Sequence, residues 1–222
     1  MDKVKETKVD IKSMNLNELK EFMVQIGEKP FRAKQIYEWL HIKHVESFDE
    51  MTNISKKLIE SLKERCQLVS LKKEEVQISK IDGTRKYLFS LEDGNVIESV
   101  LMRYKHGNSV CISSQVGCRM GCRFCASTLD GFVRNLTAGE MLEQIFAAEA
   151  STGEKIDHIV VMGMGEPFDN YENLKRFLHI LHAKNGRNLS YRNITVSTSG
   201  IIPVIRQFAE DFPQVNLAIS LH

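Results

Sequence analysis

Ile156-Asp157-His158-Ile159-Val160-Val161-Met162-Gly163-Met164-Gly165-Glu166-Pro167 decides the fold. Residues 156–162 form a short, mainly apolar run stopped by glycine, which reads as a buried strand. A helix is expected over 171–182, and the same alternation recurs on both sides. Downstream, 194–197 reads as a strand, 202–208 as a helix and 215–221 as a strand. Upstream, 109–113 reads as a strand and 137–150 as a helix, with Thr137 as its cap and Glu140 completing a capping box. Strands alternating with helices at this interval predict βαβ units and an α/β fold, its parallel sheet either open or curled into a barrel.

In such sheets ligands collect at the C-terminal ends of the strands. The first strand is followed by a cysteine-rich loop and the second by Gly163-Met164-Gly165-Glu166-Pro167. The third runs into Ser197-Thr198-Ser199-Gly200, and the fourth ends in Ser220-Leu221-His222. Four such coincidences predict one shared site. Gly163 and Gly165 let a backbone pass close to a ligand, Glu166 offers an acceptor for an ammonium or a ribose hydroxyl, and Ser197 and Ser220 supply hydroxyls.

The loop reads Cys118-Arg119-Met120-Gly121-Cys122-Arg123-Phe124-Cys125, with thiols spaced four and then three residues apart. A turn of this kind lets three sulfurs reach three iron corners of a cubane cluster and leaves the fourth iron without a protein ligand. An open iron can chelate the amino and carboxylate groups of S-adenosylmethionine. The spacing resembles that of the radical S-adenosylmethionine superfamily, and this resemblance implies one-electron cleavage of the sulfonium to a 5′-deoxyadenosyl radical. A structural zinc is the competing reading, but zinc prefers paired CxxC knuckles and a fourth ligand, and neither follows Cys125. With five cysteines in 222 residues, no signal peptide and no apolar run near the length of a membrane span, a cytoplasmic, thiol-reduced protein is expected.

Charge is locally uneven although the formal net charge is only +1. Arg103, Lys105, Arg119, Arg123 and Arg134 face only Asp130 over 103–134. Lys175, Arg176, Lys184, Arg187, Arg192 and Arg206 face no acid over 173–209. Such stretches suit a phosphate-rich partner, and solvated helix faces produce them too.

Residues 1–13 are Lys-rich and aperiodic, so a flexible arm is expected there. A helical accessory domain is expected over 14–67. Leu16, Leu19, Phe22, Met23 and Ile26 mark a first helix ending at Gly27, and Pro30 opens a second carrying Ile36, Trp39 and Leu40. Ser55 caps a third with Leu58, Ile59 and Leu62 on one face, and Cys66 at its end reads as a buried structural thiol. Over 68–104, short β-rich runs separated by Asp82-Gly83 and Asp93-Gly94 predict an antiparallel meander. Glu98 alternates onto one strand face with Val96, Val100 and Met102, where a carboxylate is either an exposed side chain or a base with a raised pKa. The remaining 105–222 form the core.

Cys111-Ile112-Ser113-Ser114-Gln115-Val116-Gly117-Cys118, the cysteine triad, Gly131-Phe132, Arg134-Asn135-Leu136, GMGEP, STSGI and the terminal SLH together resemble the RlmN and Cfr family of radical S-adenosylmethionine RNA methyltransferases, RlmN members most closely. The resemblance implies a partial radical S-adenosylmethionine (β/α) barrel and methylation at C2 of adenosine in 23S rRNA and tRNA; Cfr members modify C8. It implies a [4Fe-4S] cluster on Cys118, Cys122 and Cys125, and S-adenosylmethionine held by Gly165, Glu166, Ser197, Ser220, Leu221 and His222. Glu98 matches the base that removes the ring proton, and Cys111 the thiol that resolves a methyl-cysteine intermediate. A monomer supplied by an electron donor such as flavodoxin is expected. No residue matches the family's methyl-carrying cysteine, so a fragment with an open barrel, not competent for full turnover, is expected. Another radical enzyme, or a non-enzymatic metal-holding RNA-binding domain, remains the alternative.

Overall fold

The computed structural model describes residues 8–221. Residues 1–7 of the expected arm and the expected contact at His222 lie outside the described residues. From Val9 onward there is no arm. Val9–Asp10 (β1) will pair with a strand described below, and the turn at Ile11–Ser13 is buried, with Ile11 0% and Lys12 2% exposed. Asp10 accepts from the Lys12 and Ser13 amides and from Thr137 Oγ1, while Ser13 Oγ accepts from the Gly139 amide. The Lys12 ammonium meets Glu143 Oε1 at 2.7 Å. Partners some 130 residues away hold this segment, which local composition could not reveal.

Helices Leu16–Gln25 (α1), Phe31–His41 (α2) and Lys56–Arg65 (α3) bury the faces that periodicity assigned them. Asn15 and Glu18 form a capping box at the start of α1. Ser55 accepts from the Leu58 amide at the start of α3. Cys66–Gln67 (β2) runs parallel to β1, and burial pushes the Cys66 thiol up to about 12.

Lys72–Ile78 (β3), Arg85–Ser90 (β4), Val96–Tyr104 (β5) and Gly107–Ile112 (β6) form an antiparallel run turning at Gly83 and Gly94, both with positive φ. A small hairpin of Gln115–Gly117 (β7) and Phe132–Asn135 (β8) follows. Then come Ala138–Thr152 (α4), His158–Val161 (β9), Tyr171–His182 (α5), Ile194–Thr198 (β10), Ile202–Asp211 (α6) and Asn216–Ile219 (β11). The main sheet has the order β11-β10-β9-β6-β5-β4-β3. The meander is therefore hydrogen-bonded into the same sheet as the parallel strands.

The parallel strands lie in sequence order, so right-handed crossovers put α4, α5 and α6 on one face. Ile97, Leu101, Val110, Ile112, Ile159, Val161, Ile194 and Val196 are fully or almost fully buried and alternate onto that face. Each such side chain contributes about 1.5–3 kcal/mol. Glu98, Val100, Cys111, Val160 and Thr195 alternate onto the other face and are only half buried. Among the described residues the sheet does not close into a barrel, and its outer strands are β3 and β11. On β11, Leu217 and Ile219 are exposed. No described helix is long and apolar enough to cross a membrane.

Candidate active site

The cysteine loop springs from the hairpin of β7 and β8. At its base the Cys118 amide donates to Gly131 O at 3.2 Å. Gly117 has φ +70°, and a Cβ there would fall 1.9 Å from Gly131 O, so only glycine closes this base. Higher up, the Cys125 amide donates to Cys122 O, and Thr128 Oγ1 donates to both Cys122 O and Cys125 O. Cys118 is buried, Cys122 and Cys125 are half buried, and Phe124 and Leu129 are exposed. Burial, with Glu166 and the other two cysteines nearby, pushes the Cys118 thiol up. Arg119 lies over the Phe132 ring at 4.1 Å and pairs with Asp169 at 2.8 Å, tying the loop to the turn after β9.

That turn contains Gly163 and Gly165, and the reason for glycine is internal packing. A Cβ on Gly163 would sit 2.7 Å from the Ile112 carbonyl group, and one on Gly165, with φ +101°, 2.5 Å from Gln115 Cβ. Ser114 and Gln115 donate their amides to Met164 O, and the Glu166 amide donates to Gln115 Oε1 at 2.8 Å. Gln115 Nε2 in turn donates to Asn135 Oδ1 and Asp169 Oδ2. Beneath, fully buried Gln144 accepts from Ser99 Oγ and the Ser113 amide and donates to Ser113 O. Ser113 Oγ donates to Glu98 O and accepts from the Met164 amide. These glutamines and Ser113 escaped sequence reasoning; the glutamine inside the Ser-Ser-Gln lead-in was the available signal.

The structure brings the expected residues to one open cavity of about 260 Å³, whose lining includes Cys118, Cys122, Cys125, Gly165, Glu166 and Ser197, together with Ser220. Ser197 Oγ and Ser220 Oγ are 2.8 Å apart. Glu166 is 3% exposed, and its carboxylate already accepts from Phe168 N, Thr198 Oγ1, Ser199 N and Ser199 Oγ at 2.8–3.0 Å. Four acceptances fill a carboxylate's lone-pair sites. A ligand ammonium or ribose hydroxyl reaching this carboxylate would have to displace one of these donors. Leu221 is 84% exposed and is not part of the lining.

Cys111 and Glu98 stand outside the cavity lining, on the same sheet face as Ser197 by strand register. Burial pushes the Cys111 thiol up. Glu98 is half exposed, lies on an interior strand of the sheet rather than an edge, and pairs with Lys86 Nζ at 2.7 Å. Much of the local positive charge is also spoken for: Arg103 pairs with Glu154, Arg134 with Asp93 and Glu140, Lys175 with Asp211, Arg176 with Glu18, and Arg187 with Glu149. Lys105, Arg123, Lys184, Arg192 and Arg206 form no ion pair among the described residues.

The donor set fits a cluster better than a single ion. Among the described residues, no three His, Cys, Asp or Glu side chains gather as ligands of one ion. Among the described residues, the other ligand-type side chain lining the cavity is Glu166, whose acceptor sites are taken, so none of them completes a zinc tetrahedron. A cubane is ligated corner by corner, and its thiolates stand farther apart than the ligands of one metal ion.

Residues 112–222 match the radical SAM superfamily, and residues 9–68 match the ribosomal RNA large subunit methyltransferase N-terminal domain. The chain is 58% identical over 213 residues to a probable dual-specificity RNA methyltransferase RlmN of Lachnospira eligens, covering 96% of this chain and 61% of that protein. It is 56% identical to the protein of the same description from Lachnoclostridium phytofermentans, covering 97% of this chain and 60% of the relative. The chain thus spans about three fifths of the length of these curated relatives. Among solved structures, a radical SAM methyltransferase from Sphaerobacter thermophilus superposes with a TM-score of 0.88 at 42% identity, over 96% of this chain and 64% of that one. The cavity at the strand ends and these matches together make the chain a member of the radical SAM superfamily that carries an RlmN-type N-terminal domain.

Proposed function

We propose that this chain provides the cluster and S-adenosylmethionine site of an RNA methyltransferase that acts at C2 of adenosine in 23S rRNA and tRNA. The observation that carries the reading is the convergence of three thiols, the GMGEP turn and the Ser197 and Ser220 hydroxyls on one cavity, on a sheet whose open face also bears Cys111 and Glu98. When bound, a [4Fe-4S] cluster with one open iron supplies the electron that cleaves S-adenosylmethionine.

Adenine C2 is electron-poor and is no nucleophile, so polar methyl transfer cannot use it. Cys118, Cys122 and Cys125 would hold the cluster, and Gly165, Ser197 and Ser220 would bound the ligand beside it. Burial pushes the Cys111 thiol up, so it would have to give up its proton to act in the resolving step. Glu98, oriented by Lys86, would take the C2 proton. None of the five cysteines is assigned the methyl-carrying role. A cytoplasmic setting and an electron donor such as flavodoxin belong to the same proposal.

Anaerobic reconstitution tests it. Iron and sulfide are expected at about four each per chain, with visible colour, and each of Cys118→Ala, Cys122→Ala and Cys125→Ala should lose both. S-adenosylmethionine should then alter the paramagnetic resonance of the reduced cluster. One zinc per chain and no colour would remove the proposal. In the complete enzyme, Cys111→Ala should accumulate a covalent protein–RNA adduct; free methylated RNA at normal turnover would refute the resolving role.

A further inference from the structure

We infer that the Glu166 side chain is a positioning residue: it fastens the turn after β10 to the turn after β9 and so shapes the cofactor cavity without itself accepting from the cofactor. The inference rests on the reading of the cavity as a S-adenosylmethionine site.

Glu166 Oε1 accepts from the Phe168 amide and from Thr198 Oγ1, and Oε2 from the Ser199 amide and Ser199 Oγ. Three of these four donors belong to the last residue of β10 and the turn that follows it. Thr198 Oγ1 also accepts from the Gly200 amide at 3.1 Å, which extends the fastening one residue further. At its other end, the Glu166 amide is held by Gln115 Oε1, and Gln115 Nε2 reaches Asp169, the partner of Arg119 in the cysteine loop. One hydrogen-bonded belt therefore runs from the thiol-bearing loop through Glu166 to Ser199 and Gly200. Hydrogen bonds to a buried carboxylate are about twice as strong as neutral ones, so this node contributes most to the belt. An ammonium approaching the carboxylate would have to displace one of these donors.

Amide hydrogen exchange on the cluster-free chain reads the fastening with no cofactor present. Glu166→Gln keeps the shape but turns an NH₂ toward N–H and O–H donors. The Ser199 and Gly200 amides should then exchange about tenfold faster or more. If the carboxylate instead waits free for a ligand, their exchange will not change, and the inference falls. A second reading uses Thr198→Val, which removes one donor and leaves the carboxylate in place. On the reconstituted chain, both variants should weaken S-adenosylmethionine binding, Glu166→Gln by about tenfold and Thr198→Val by less. Loss in Glu166→Gln with none in Thr198→Val would assign the carboxylate directly to the ligand and overturn the inference. Should Glu166→Gln fail to fold, Thr198→Val and Ser199→Ala must each accelerate exchange of the residue 199 amide, the one the carboxylate itself holds, for the inference to stand. Absence of S-adenosylmethionine binding by the parent chain would defeat the functional reading alone, since the exchange experiment still judges the fastening.

Discussion

Two buried polar clusters in this molecule are built in opposite ways. Around the cavity, Glu166, Gln115 and Gln144 have their hydrogen-bonding capacity met by other loops and strands. On α2 and in the loop after it, where His44 meets Phe146 of α4, Tyr37 Oη, both ring nitrogens of His41 and His44 Nδ1 have no hydrogen-bond partner among the described residues. There the contacts are ring against ring, Tyr37 on His41 at 4.4 Å and His44 on Phe146 at 3.8 Å. A satisfied cluster fixes a geometry; an unsatisfied one is tolerated only while uncharged. The belt around the cavity is thus specified group by group, Ser114 Oγ excepted, whereas the helical region is held mainly by apolar packing beside the Lys12–Glu143 and Arg187–Glu149 ion pairs.

The comparison is most severely tested at Gly165. Gly165→Ala adds a strained φ and a clash with Gln115, so a loss of about 2–5 kcal/mol in denaturant unfolding is expected. A loss near that of an ordinary exposed glycine would show that the two turns are not rigidly interlocked. Next, Gln144→Leu strands Ser113 and Ser99 donors and should cost about 2–3 kcal/mol. On the other side, burial first, with the nearby His44 and Lys12 charges, lowers His41 from 6.5 to about 3. Its folded pKa lies below the unfolded value, so its contribution to stability is complete above pH 6.5 and is lost as pH falls through about 3. His41→Phe should flatten the stability profile between pH 6.5 and the onset of carboxylate titration near about 4.5. An unchanged slope would place the acid sensitivity elsewhere. The smallest effect belongs to Tyr37→Phe, which removes an unsatisfied hydroxyl and should leave stability unchanged or raise it by up to about 1 kcal/mol. A clear loss would mean the hydroxyl is satisfied in solution.

The contrast also explains what the sequence made legible. The parallel strands and their end motifs were readable because apolar runs stop at glycine or serine turns, a local signal that the sheet then gathers in space. The thiol spacing, the Asp-Gly hairpins and the Gly27 helix stop are equally local. Harder features depend on distant partners. Lys12 sits in a Lys-rich stretch, and only Glu143 makes it a buried residue. The basic runs look like a phosphate platform until Glu154, Asp93, Glu18 and Glu149 fold against them. The hairpin of β7 and β8 is three and four residues long across a wide loop, too short for alternation to register. Gly163 and Gly165 were read as room for a ligand, while the contacts that demand glycine there come from Ile112 and Gln115.

The two margins of the main sheet, as described, differ in what they can pair with. Along β3, Lys72, Lys73, Glu74 and Glu75 are exposed, and such charge discourages a stranger's strand. Along β11 the unpaired ladder carries Leu217 and Ile219 instead. The β3 margin is therefore guarded by its own charge, while the described β11 margin is apolar enough to accept a further strand.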